Sequence, residues 1–172
     1  MPPASLSETG QAEREKLAKL HCRVFCCAST GCLSSGSQTV LDALNQAITS
    51  RNLGDRVQVV PTGCMGLCSL GPLVRVEVRD RAPVLYKSVD PLVARLIVAE
   101  HVVPALAAVE AGEDFPPPLF LSDYMVALDL PFFTLQTKVA LSDTGRINPE
   151  RIELSVEASR WRSPSISCRL TR

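Results

Sequence analysis

The chain has 172 residues, 46% of them hydrophobic, and a formal net charge of +0. This length allows one well-buried domain of roughly 100 to 150 residues plus a shorter segment, and it excludes two full domains. The balanced charge removes the electrostatic reason to expect nucleic acid or an anionic membrane surface as a partner.

Residues 1–20 are polar and predict a short charged helix or arm. Residues 21–27 are short, apolar and β-compatible, and they end at a Ser/Thr/Gly turn, which is typical of a buried strand. Residues 34–37 form a cluster of good N-cap residues. They precede apolar side chains at helical spacing, namely Val40, Leu41, Leu44, Ala47 and Ile48. The pattern predicts a strand followed by a helix.

Residues 56–60 predict a second strand, and residues 73–78 and 83–89 predict two more around a turn. Asp90 and Pro91 then start a helix that runs towards Val103. The order βαβββα indicates an α/β fold. In a βαβ unit with a right-handed crossover, the loops that follow the two parallel strands lie at the same edge of the sheet.

The sequence does not begin with a positive patch followed by an apolar run, so a secretory signal is not expected. The most apolar segment, residues 89–109, contains charged residues and two prolines, so it lacks the ~20 uninterrupted apolar residues of a membrane-spanning helix. We therefore expect a cytoplasmic protein without membrane insertion. In that compartment, seven cysteines indicate metal or redox chemistry rather than disulfides.

Four cysteines form two spaced pairs, each after a predicted strand of the βαβ unit. The first pair is Cys27 and Cys32, with four residues between them, and the second is Cys64 and Cys68, with three between them. Their Gly/Ser/Thr-rich loops allow backbone N–H groups to turn towards bound sulfur, which suits an anionic, thiolate-ligated 2Fe-2S cluster. The helix start near residue 35 is expected to help hold that charge.

Aliphatic neighbours of the cysteine loops are expected to limit the access of water, and these are Val24, Leu33, Met65 and Leu67. Two other interpretations of the four cysteines remain open at this stage. They are a structural four-cysteine zinc site in a binding module without a redox role, and disulfides or inert core thiols.

The remaining cysteines and both histidines are not expected to be ligands. Strand alternation places Cys22 and Cys26 on the face opposite Cys27, where they act as small buried hydrophobic side chains. Cys168 is expected to be a free thiol. A structural role is expected for His21 at the strand start, and for His101 near a helix C-terminus.

The two cysteine pairs carry a resemblance to a known family. Their spacing, together with residues 63–74 (GCMGLCSLGPLV) and 86–91 (YKSVDP), resembles the thioredoxin-like 2Fe-2S ferredoxin domain. That domain occurs in the flavoprotein subunits of NAD-linked soluble hydrogenases and formate dehydrogenases and in a small subunit of respiratory complex I. The resemblance implies a thioredoxin-like ferredoxin fold for residues 21–112. It also implies that Cys27, Cys32, Cys64 and Cys68 hold the cluster, with no catalytic residue.

A second resemblance follows a Pro-rich linker at residues 113–122. Residues 131–141 (PFFTLQTKVAL) and 145–153 (GRINPERIE) resemble the start of the FMN- and NADH-binding domain of the same flavoproteins. We therefore assign residues 123–153 to an incomplete flavoprotein segment. The combination favours the diaphorase subunit of a bidirectional NAD-reducing hydrogenase, with other subunits of a hydrogenase, formate dehydrogenase or NADH dehydrogenase complex as partners.

The sequence also departs from the flavoprotein pattern. Full-length members are expected to contain FMN, NAD and 4Fe-4S sites, and their motifs are absent here. The resemblance to the flavoproteins implies an NADH:acceptor oxidoreductase. Because the FMN and NADH motifs are missing, this chain is expected to be inactive alone. Residues 154–172 do not match the family and predict a disordered tail, and a truncation or frame shift in a longer gene would explain the change.

Overall fold

The structure of the protein is a computed structural model that describes residues 6–137 and 143–151. The first half contains helix α1 (Leu6–Lys19), strand β1 (Cys22–Cys27), helix α2 (Thr30–Ser34), helix α3 (Ser37–Thr49) and strand β2 (Val57–Thr62). A 3₁₀ turn at Cys68–Leu70 precedes strands β3 (Val74–Val78) and β4 (Val84–Tyr86). The chain continues through helix α4 (Pro91–Ile97), a π turn (Val98–Val102) and helix α5 (Val103–Ala111). A second 3₁₀ turn (Leu119–Tyr124), strand β5 (Met125–Val126) and helix α6 (Pro131–Thr134) follow.

The five strands form one sheet in the order β2-β1-β3-β4-β5. Strands β1 and β2 are parallel, with Cys27 opposite Thr62 at their carboxyl ends, and the other neighbouring strands are antiparallel. The predicted α/β order βαβββα is confirmed. Because β1 and β2 are parallel, the two cysteine loops leave the same edge of the sheet, as expected.

One face of the sheet packs on the main hydrophobic core. Every second residue of β1, namely Cys22, Val24 and Cys26, belongs to this core, together with Leu44 of α3 and Ile97 of α4. The other face carries a smaller apolar cluster that includes Phe25, Cys27, Cys32, Val60, Met65, Leu73, Leu85 and Val126. Strand alternation therefore places the ligand candidate Cys27 on the opposite face from Cys26, as predicted.

Helix α3 differs from the prediction at its start. A short additional helix, α2, fills the first cysteine loop, and the N-cap of α3 is Gly36 in the left-handed region at φ 90, with no side-chain capping hydrogen bond. The serine cluster therefore does not cap α3. Ser34 and Ser35 instead donate from their hydroxyls to carbonyls one turn back, on Thr30 and Gly31.

The helix that begins after Asp90 is longer than predicted. The Asp90 carboxylate accepts a hydrogen bond from the Val93 N–H, which confirms the cap. The helix does not stop before Pro104 because a π turn precedes it, with the Val103 N–H donating to the Val98 carbonyl five residues back.

Residues Pro91–Ala111 have the length and composition of a membrane-spanning helix. Among the described residues this is the one such candidate, and half of it is buried inside the domain. Its inward side chains, including Ile97, Val102 and Leu106, belong to the main core. Burial within the fold accounts for its apolar composition, as in the core helix of a globular domain.

The Pro-rich segment packs against the core instead of running free as a linker. Leu121 is fully buried in the main core, and Phe115 packs against it. Strand β5 then pairs with β4, with Leu85 opposite Val126. Residues beyond the prolines therefore complete the sheet of the preceding domain. The boundaries proposed from sequence stay a prediction, and residues 152–172 lie outside the described residues.

Candidate functional site

The four predicted cysteines lie at one edge of the sheet, on four kinds of local structure. Cys27 is the last residue of β1, and Cys32 lies in α2. Cys64 lies in the loop after β2, and Cys68 begins the 3₁₀ turn that precedes β3. Each pair is thus held by the chain immediately after one of the two parallel strands.

The first pair is buried. Cys27 and Cys32 are both 0% exposed, and their side chains are hydrogen-bonding neighbours. Burial raises the pKa of the Cys32 thiol to about 12, and the hydrogen bond with Cys27 acts in the same direction. A hydrogen bond from the Leu73 backbone opposes them by stabilising the thiolate. The structure therefore supplies a backbone donor to one of the buried sulfur atoms.

The second pair is accessible to solvent. The sulfur atoms of Cys64 and Cys68 are 3.5 Å apart, and the Gly66 N–H donates to Cys64 Sγ over 3.3 Å. Cys68 is exposed and Cys64 half-buried. The hydrogen bond with Cys64 and the charge of its thiolate raise the pKa of Cys68. The expected backbone donor to sulfur is therefore present in this loop.

Two glycines lie against the paired cysteines, and one of them is too close to carry a side chain. A Cβ atom at Gly71 would lie 2.9 Å from Cys32 Sγ, and one at Gly31 would lie 3.8 Å from Cys68 Sγ. The charge of the Cys68 thiolate raises the pKa of Cys32, and the charge of the Cys27 thiolate raises the pKa of Cys68. Glycine is needed at position 71 because any side chain there would overlap the buried sulfur.

The four thiols are arranged as two pairs rather than as one closed set. Within residues 6–137 and 143–151, no three His, Cys, Asp or Glu side chains converge to hold a single metal ion. Two thiolates on one tetrahedral metal with bonds of ~2.3 Å lie about 3.8 Å apart, close to the separation of Cys64 and Cys68. One pair for each metal atom of a dinuclear cluster fits this arrangement better than four ligands around one zinc ion.

The apolar surroundings differ from the prediction in two places. Met65 is buried and Leu67 packs against the same small apolar cluster, as expected. Val24, however, faces the main core on the other side of the sheet because of strand alternation. Leu33 is 44% exposed because it lies on the solvent side of α2.

Residues after the Pro-rich segment cover the second cysteine loop. A Cβ atom at Gly66 would lie 3.1 Å from the ring of Phe132, and one at Gly145 would lie 3.3 Å from Met65. The Thr62 hydroxyl donates to the Ile147 carbonyl over 2.8 Å. Phe132, Gly145 and Ile147 therefore form a wall of the site, a role that no local sequence pattern indicates.

The other cysteines and histidines lie away from the paired thiols or face the core. Cys22 and Cys26 are buried in the main core, and burial raises the pKa of each to about 12. His21 immediately precedes β1, at the end opposite Cys27. Cys168 lies outside the described residues.

His101 is not near a helix C-terminus as predicted. It lies in the π turn, buried, and a 2.7 Å hydrogen bond joins its Nδ1 to the Tyr86 hydroxyl. Its ring also stacks on Phe115, and burial lowers the pKa of the imidazole to about 4. The role is structural, but burial rather than the helix dipole explains it.

Comparison with known proteins agrees with this geometry. A family model described as thioredoxin-like [2Fe-2S] ferredoxin matches residues 11–99, which include all four paired cysteines. The chain belongs to this family. The match covers more than half of the chain, and the family's fold agrees with the mixed α/β sheet described above.

Individual relatives match less of the chain. A protein named Ferredoxin, 2Fe-2S from Clostridium pasteurianum is 40% identical over 45 residues, which are 26% of this chain and 44% of that ferredoxin. The match thus spans less than half of this curated relative. A solved wild-type thioredoxin-like [2Fe-2S] ferredoxin from Aquifex aeolicus is 26% identical with a TM-score of 0.46, covering 63% of this chain and 98% of that one. A second structure of such a ferredoxin from Aquifex aeolicus also has 26% identity and a TM-score of 0.46, covering 63% of this chain and 92% of that one.

Proposed function

We propose that this chain holds one 2Fe-2S cluster on Cys27, Cys32, Cys64 and Cys68 and transfers single electrons. The observation that carries the proposal is the meeting of two thiol pairs at one sheet edge, within a chain of the thioredoxin-like [2Fe-2S] ferredoxin family. Such a cluster, when bound, accepts and releases one electron.

The residues around the thiols suit an anionic cluster. Backbone donors reach the sulfur atoms of Cys32 and Cys64, and hydrogen bonds to sulfur are one of the levers by which a protein sets the potential of a cluster. The space beside Cys32 is kept open by Gly71. Exposure of Cys68 provides a short route for an electron to or from a partner.

At the finer level, we propose that the electron transfer belongs to an NAD(H)-dependent complex of the soluble-hydrogenase diaphorase or NADH dehydrogenase type. Support comes from the resemblance of residues 131–141 and 145–153 to the start of a flavoprotein domain. The described part of this segment packs on the second cysteine loop, which suits a flavin site close to the cluster. We place this activity in the cytoplasm.

Spectroscopy on the purified protein tests the electron-transfer proposal. We expect a brown protein with visible absorption that bleaches on reduction by dithionite, and a one-electron EPR signal from the reduced form. A colourless protein that contains zinc and gives no EPR signal would support the binding-module alternative.

A reconstitution experiment tests the finer proposal separately. We expect NADH alone to leave the oxidised cluster unreduced, because the chain carries no FMN or NADH motif, and added flavoprotein partner with NADH to reduce it. Reduction by NADH alone, or flavin retained on the chain through gel filtration, would contradict the interpretation of residues 123–153.

A further inference from the structure

A cavity of about 400 Å³ lies between the sheet and the segment that follows the prolines. Its floor comes from β3 and β4, and its opposite wall comes from residues 128–136 and 144–146, with Met65 of the second cysteine loop at one side. This volume lies within the range of small-molecule sites, which is roughly 300 to 1,000 Å³. The cavity is outside the set of paired thiols.

Positive charge is concentrated on this face of the sheet. The guanidinium groups of Arg23 and Arg75 lie over the ring of Phe25, at 4.6 and 4.7 Å from its centroid. Both share one carboxylate, Glu77, at 3.9 and 3.0 Å respectively. Arg146 adds a third guanidinium on the cavity wall, so these three cations face one carboxylate.

The arginines of this face have further charged neighbours. Glu13 attracts Arg23, and it also pairs with Arg151 at 3.4 Å. Burial lowers the pKa of Arg75, and the charges of Arg146 and Arg23 lower it further.

Arg75 also has unused hydrogen-bonding capacity. Its Nε and Nη2 atoms are buried and make no hydrogen bond, since the close Glu77 oxygen lies outside hydrogen-bonding geometry. An unsatisfied buried donor is destabilising, and more so when it is charged. Arg75 lines the cavity, and a guanidinium group is well suited to a carboxylate or phosphate group.

The rest of the lining divides into polar and apolar parts. Gln136 and Thr144 lie beside Arg146 as further polar groups, whereas the remaining wall is made by Leu85, Leu128, Phe132 and Phe133. We infer that this cavity binds a small organic anion, with its carboxylate or phosphate between Arg75 and Arg146 and an apolar body against the phenylalanines. The inference does not rest on the proposed cluster.

Calorimetric titration of the full chain at constant ionic strength tests the inference with three probes. Benzoate and phenyl phosphate present the same ring with a carboxylate or a phosphate, and benzamide is a neutral control. We expect saturable binding of at least one anion, about tenfold tighter than benzamide, because the charge-assisted hydrogen bonds are lost in the neutral probe. The tighter of the two anions identifies the class of ligand.

Two variants locate the binding. Arg146 is exposed, so Arg146→Gln is expected to fold normally and to weaken anion binding about tenfold while leaving benzamide unchanged. Arg95→Gln, on α4 and outside the cavity lining, is the matched control and should bind as the wild type does. Absence of saturable anion binding, equal affinity for benzamide, or equal anion affinity in Arg146→Gln would each overturn the inference.

Discussion

The two cysteine pairs differ in how the fold holds them. Cys27 and Cys32 are fully buried and are fixed by the end of β1 and by α2. Cys64 and Cys68 lie in an irregular loop and a 3₁₀ turn, are reached by solvent, and depend on the segment around Phe132 for cover. The comparison separates an inner half of the site, Cys27 and Cys32, which is buried, from an outer half, Cys64 and Cys68, which solvent reaches.

Substitution of the paired cysteines is expected to have the largest effect. Cys27→Ala, Cys32→Ala, Cys64→Ala and Cys68→Ala should each abolish normal cluster assembly, because the proposal makes every thiolate one of four ligands. Cys22→Ala and Cys26→Ala are the controls, since both side chains face the main core. Iron and sulfide analysis measures the outcome, and equal contents in all six variants would refute the ligand assignment.

Acidification is expected to weaken the main core, which lies on the other side of the sheet from both pairs. Because burial lowers the pKa of His101 from 6.5 to about 4, the unfolded chain takes up a proton at a higher pH than the folded chain. The free energy of unfolding should therefore fall as the pH drops from about 6.5 to about 4, by an amount of order 3 kcal/mol.

Denaturant unfolding of the wild type and of His101→Gln at several pH values isolates this contribution. The difference in unfolding free energy between the two should change across that pH window and stay constant above it. A difference that does not change with pH would mean that His101 is not held neutral by the fold.

Crowding of the inner pair is the next largest effect. In Gly71→Ala the new methyl group would lie 2.9 Å from Cys32 Sγ, so sulfur or backbone must shift, at a cost of about 1 to 3 kcal/mol. We expect lower thermal stability and a lower cluster content. Gly54→Ala is the matched control, because no atom lies within 4 Å of its added Cβ. Identical melting temperatures and iron contents for both variants would show that position 71 tolerates a side chain.

Exposure of the outer pair is expected to have the smallest effect. Phe132→Ala removes the ring that covers Gly66, so solvent and chelator should reach Cys64 and Cys68 more easily. We expect severalfold faster loss of visible absorption in a chelator, with little change in stability. Phe120→Ala is the control, since that side chain is 58% exposed and is not the ring that lies against Gly66. Equal rates of absorption loss in both variants would show that Phe132 does not shield the second cysteine loop.

The sequence predicts the surroundings of Cys27 and Cys32 more directly than those of Cys64 and Cys68. The period of two in β1 separates Cys26 from Cys27, and a parallel βαβ unit brings the loops together. Helix α2 was missed because five residues carry no helical periodicity. Contacts of Phe132 and Gly145 with the loop join residues about 65 to 80 positions apart, which no local propensity encodes.

The helix after Asp90 shows the same limit. Its cap was predictable because Asp followed by Pro is a strong start signal. Its continuation through Pro104 was not, since the π turn that accommodates the proline depends on packing of the whole helix on the core. Local chemistry therefore fixed the start of this element, and tertiary packing determined where it ends.

Metal and sulfide analysis of the protein purified without oxygen tests the central claim most directly. If the two pairs hold one dinuclear cluster, the wild type should contain two iron atoms and two acid-labile sulfides for each chain, with no stoichiometric zinc. One zinc for each chain without sulfide would contradict the account, and it would assign the four thiols to a structural metal site.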